Sequence, residues 1–163
     1  MRLGAIAYLR GDLAATATAY EEAFASTQAD PYTRQWPGRI LGYLALAAGE
    51  LPAAARRFRE SLDDTWHGHW DAATVENLCA FAALARERAQ WERAARLLGA
   101  ADAGLERRGG PLIEPIGGRE RERTLAAARE RLGEPACSAA YAAGRELSLE
   151  QAVTEALQEG GDG

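Results

Sequence analysis

This chain contains no lysine: all nineteen of its basic residues are arginine. That removes the lysine of a phosphate-binding loop and any Schiff-base chemistry. Cysteine is scarce as well. Cys79 and Cys137 stand alone, without a Cys-x-x-Cys arrangement, so two buried thiols are expected. An intracellular setting disfavours a disulfide between them. No stretch approaches the roughly 18 uninterrupted apolar residues of a membrane span. The apolar run from Leu3 to Leu9 is stopped by Arg10 and Asp12, so neither a signal peptide nor a membrane partner is expected. Strand-like alternation is missing too.

What remains is a composition of 47% hydrophobic and 26% charged residues with a net charge of -5 over 163 residues. A chain of this size buries roughly two thirds of its unfolded surface in one core. A single cytoplasmic domain is expected. The acidic balance opposes non-specific affinity for nucleic acid. Arg119, Arg121 and Arg123 alternate with Glu120 and Glu122, which makes that run nearly self-neutralising rather than a phosphate-tracking stripe. Direct nucleic-acid binding is therefore not expected.

The chain repeats. Leu3-Gly4, Leu41-Gly42 and Phe81-Ala82 open three copies, followed at matching steps by Thr16, Ala54 and Ala94, by Tyr20, Phe58 and Leu98, and by Ala23, Ser61 and Ala101. Gly11 and Gly49 end the first helices of copies one and two, and Ala89 holds the same place in copy three. Small residues at such positions let helices approach closely, and large ones fill the space between them. The fold class that follows is all-α, built from stacked helix pairs.

The segments "LGAIAYLRGDLAATATAYEEAF", "LGYLALAAGELPAAARRFRESL" and "FAALARERAQWERAARLLGAAD" resemble tetratricopeptide repeats, with a period longer than the usual 34. That resemblance implies a right-handed solenoid of about three helix pairs. More narrowly, Leu41 to Leu157 resembles the helical-repeat region near the C-terminus of large bacterial signal-transduction ATPases and LuxR-type (MalT-like) transcriptional regulators. The stretches "RAARLLGAAD" and "AAYAAGRELSLEQAVTEAL" carry most of the likeness. It implies a regulatory interaction module, with any ATP-binding chemistry upstream of Met1. A free-standing adaptor of the same build is the alternative, and no DNA-binding helix-turn-helix is found in this sequence.

Three regions follow: repeats over 1–108, a connector over 109–118 and a C-terminal helical cap with a flexible tail over 119–163. "RRGGPLIEPIGG" is the one long break in helical pattern, and it lacks the strand and Gly-Lys-Ser/Thr of a nucleotide cradle. Asp30-Pro31 reads as an N-cap followed by proline at the first helical position. Pro37 marks either a kink that opens a groove or a late helix start. Gly133 and Pro135 separate two late helices, and Ser148 with Gln151 forms a capping box for the last. A solenoid cut within its first repeat exposes an apolar flank, so self-association is expected.

The partner-facing residues expected on the inner helices are Tyr8, Trp36, Arg39, Tyr43, Glu76, Cys79 and Arg86. Their aromatic rings and guanidinium groups supply area and directed hydrogen bonds for a protein or peptide ligand. Tyr43 and Trp36 suit packing between helices equally well. No catalytic residue and no cofactor are expected, and the chain does not read as an enzyme. The one competing constellation is "DDTWHGHWD", whose His67 and His69 lie among Asp63, Asp64 and Asp71, residue types that bind transition metals. No partner motif supports it elsewhere. Trp66 and Trp70 are expected to anchor that loop, and the resembled family commonly has a tryptophan where Trp70 stands.

Overall fold

A computed structural model describes residues 11–110 and 115–158, and within them the chain forms eight helices and no strand. They are α1 (Leu13–Ser26), α2 (Pro31–Ala47), α3 (Leu51–His67), α4 (Asp71–Glu87), α5 (Trp91–Arg108), α6 (Pro115–Leu132), α7 (Glu134–Arg145) and α8 (Leu149–Leu157). No helix among the described residues is long and apolar enough to cross a membrane.

Helices α2 to α5 begin at residues 31, 51, 71 and 91, twenty residues apart. The turns between them share one backbone geometry. The amides of Glu50, Trp70 and Gln90 each donate 2.9 Å bonds to the carbonyls of Ala45, Thr65 and Ala85, six-to-one closures that satisfy the last carbonyls of the preceding helix. The residue just before each donor is left-handed: Gly49 at φ +78°, His69 at +57° and Ala89 at +57°. Ala89 thus adopts the conformation that its register with Gly49 requires, although it carries a Cβ. So short a turn leaves sequential helices no choice but to pack on each other, and α1 through α5 do so in order, with α2 also reaching α4.

The small and large positions of the repeat form the core. Thr16, Ala54 and Ala94 are fully buried, as are Tyr20, Phe58 and Leu98. A Cβ on Gly42 would fall inside 3.0 Å of the Phe58 ring, so glycine is what lets that ring enter. Tyr43 meets Phe58 edge-on at 5.2 Å, and Phe81 lies 6.2 Å from it.

The C-terminal helices wrap the last pair. α6 packs on α4 and α5, α7 on α5 and α6, and α8 on α4 and α5. α8 starts with the expected Ser148–Gln151 capping box. Its end is closed by Arg93 of α5, which donates to the carbonyls of Glu155 and Ala156 at 2.9 and 3.1 Å. The connector is shorter than its glycines imply. Helix α6 begins at Pro115, not at residue 119, because proline suits the first helical turn and the buried Ile116 and Gly117 pack into the protein. Pro37, by contrast, starts no helix: it lies inside α2, buried, and offers no N–H to the Thr33 carbonyl.

Candidate partner-binding cleft

The residues expected to face a partner divide sharply. Tyr8 lies outside the described residues. Tyr43 and Cys79 are buried in the core, and Arg86 is covered by α6. The Arg86 guanidinium donates to Thr124 and Glu120 at 3.0 Å each, and Arg123 holds the second oxygen of Glu120 at 2.8 Å. Both members of the Arg86–Glu120 pair are buried, and these bonds, with a further one of 2.8 Å from Arg86 to Glu87, offset their desolvation. Tyr43 presents no surface to a ligand because it packs on Phe58 within the repeat core, and Arg86 presents none because α6 lies over its part of α4.

The Cys79 thiol is pushed up to about 12, chiefly by burial and further by the nearby Asp102 carboxylate. It is an inert thiol at neutral pH. Asp102 is itself held by a fork from Arg121, whose Nε donates at 2.7 Å, and by the Tyr141 hydroxyl. Burial first, then that hydrogen bond to Asp102, raises the Tyr141 phenol. This polar cluster ties α5, α6 and α7 together.

The other half of the expected set does converge. Trp36, Arg39 and Glu76 line a cleft of about 490 Å³ between α1, α2 and α4. Ala23, Ser26 and Thr27 form its wall at the end of α1, Tyr32, Thr33 and Pro37 its α2 side, and Ala72 and Ala73 the first turn of α4. Arg39 is 2% exposed and ion-paired with Glu76, while its other amino group donates to Gln35 at 3.0 Å. The pair is therefore the polar floor of a mostly apolar site. Tyr32 is 61% exposed and meets Trp70 edge-on at 4.9 Å, which gives the rim an aromatic lip. Volume, apolar walls and a few fixed polar groups are the usual make-up of a binding site.

No family model, no curated protein and no solved structure matches this chain.

The histidines are elsewhere. His67 is 75% exposed at the end of α3 and contacts Asp63 at 3.1 Å, one turn back on the same helix. His69 is held in the left-handed turn. Among the described residues no three His, Cys, Asp or Glu side chains group to hold a metal ion. Trp70 caps the start of α4 and fills the space beside Gly68, where a Cβ would clash with its ring. Trp66 packs against the core.

Sequence reasoning missed Tyr32, Ala72, Ala73 and the α1 wall. Nothing in the sequence sets Ala23 apart from its counterparts Ser61 and Ala101; the structure buries those two and leaves Ala23 partly exposed.

Proposed function

We propose that this chain is a protein-interaction module: a right-handed solenoid of tetratricopeptide-like helix pairs, closed at its C-terminal end by α6 to α8. Its partner, a protein or peptide, is held in the cleft between α1, α2 and α4. The regulatory setting is that of a bacterial signal-transduction ATPase or LuxR-type regulator, in which such a region takes no part in catalysis and makes no direct contact with DNA. One observation carries this reading. The same helix and turn recur every twenty residues from α2 to α5, and a cleft lined by aromatic, arginine and acidic side chains from successive first helices lies on that array.

The test is photo-crosslinking from position 32, replaced by a photoreactive phenylalanine analogue, in the organism that carries the gene. A recurrent crosslinked polypeptide, lost when Ala72 becomes Arg, supports the reading. Crosslinks that are unaffected by Ala72→Arg, or none at all, overturn it.

A further inference from the structure

The three copies, compared position by position, show what the cleft is shaped to take. In copy two, the end of α3 is covered by the first half of α2. Ser61 donates to the Gln35 carbonyl at 2.9 Å, and Asp64 receives Arg34 through an Nε bond of 3.0 Å. Thr65, also fully buried there, accepts from Asn77 of α4 at 3.2 Å. In copy three the counterparts Ala101, Gly104 and Leu105 are buried too. The counterparts in copy one are Ala23, Ser26 and Thr27, thirty-eight residues before Ser61, Asp64 and Thr65, and they form the open wall of the cleft.

We propose that the cleft receives one amphipathic helix of about two turns from a partner polypeptide, seated on α1 as the first half of α2 sits on α3. The surface it meets continues the helix–helix interface that the other two copies already form. This inference rests on the reading of the chain as a repeat module with a partner cleft.

The walls define the guest. Arg39 and Glu76 neutralise each other and leave no net charge for the guest to meet. A charged side chain on the docked face would lose its water without gaining a counter-ion. The docked face is therefore uncharged, with small residues against Ala23 and Ala72 and one larger apolar side chain beside Trp36. Tyr32 at the rim covers the exposed flank of the guest.

A phage-displayed library of helix-stabilised peptides, selected against the full chain, tests this directly. The expected winners carry uncharged residues at i, i+3 or i+4 and i+7, and lose at least tenfold in affinity on Ala72→Arg with the thermal midpoint unchanged. Ser26→Arg, at an exposed position, gives the same loss and covers the case in which Ala72→Arg disturbs α4. Extended or proline-rich winners that are sensitive to both variants overturn the helical guest and leave the partner cleft standing. Winners indifferent to both variants, or no enrichment, overturn the helical guest and the cleft together. Selection of peptides from this chain's own sequence would make the occupant a second copy, and overturn the assignment to a different polypeptide.

Discussion

Gly99 of α5 and Gly144 of α7 face each other across a contact in which backbone touches backbone. A Cβ on Gly99 would lie well under 3.0 Å from the carbonyl oxygen of Tyr141, and one on Gly144 equally close to that of Arg96. Neither obstacle is a flexible side-chain end, so the helices must separate to admit a methyl group. Gly99→Ala and Gly144→Ala should each lower stability by about 3 kcal/mol, the upper end of overpacking costs. Gly118 of α6 has open space around its Cβ position. Gly118→Ala should gain about 0.5 kcal/mol from reduced chain entropy. Urea denaturation of the three variants checks the contrast, and equal effects would remove the close-contact explanation.

The turns offer a stabilising change. Ala89 and His69 hold φ +57°, where a Cβ meets the following carbonyl, while Gly49 holds the same turn without that strain. Ala89→Gly and His69→Gly are each expected to raise stability by about 0.5–1 kcal/mol, even though glycine lowers stability almost everywhere else in a chain. The two turns are separate, so the double variant should show the sum. A fall in thermal midpoint for either variant would contradict the shared turn geometry.

The repeat was legible because complementary volumes are written locally: a small residue, then a large one, at fixed steps. Thr16, Phe58 and Leu98 needed no knowledge of distant sequence to be placed in the core. The stretches "RAARLLGAAD" and "AAYAAGRELSLEQAVTEAL", which carried the family resemblance, contain Gly99 and Gly144, the two glycines now seen to meet. The fate of the arginines was not legible. Arg86 has the look of a ligand-facing residue, and what decides otherwise is a carboxylate 34 residues away. Arg39 does line the cleft, but as half of an ion pair with a carboxylate 37 residues away rather than as a free charge. Helix α6 hides behind a glycine-rich run that reads as a loop, and it is this helix that closes the face bearing Arg86.

That closure has a measurable cost when broken. Glu120 keeps only 3% of its side-chain surface in contact with solvent. Arg86→Met leaves its carboxylate still paired with Arg123, which is far more exposed. Removing one member of a buried pair typically costs about 3–5 kcal/mol, and the loss here should fall at the lower end because Arg123 remains. Arg86→Met combined with Glu120→Leu should recover most of it, since both desolvation penalties disappear together. A double variant no more stable than Arg86→Met would show that the pair does more than neutralise itself.

Cys79 gives stability a pH dependence of known sign. In the native protein burial holds the thiol neutral up to about 12, against an ordinary value of 9.0. Above pH 9 the unfolded chain therefore releases a proton that the folded chain keeps, and rising pH favours unfolding. The contribution is intact below pH 9 and declines by up to about 1.4 kcal/mol for each further pH unit. Cys79→Ala removes this slope. The variant should be about 1 kcal/mol less stable than the parent at pH 7, for the small cavity it leaves. The gap should shrink to nothing by about pH 10, where the raised Tyr141 phenol and every other group contribute equally to both proteins. Urea midpoints measured from pH 7 to pH 10.5 read the difference, and a gap that stays constant would mean that the thiol ionises as readily in the folded chain as in the unfolded one.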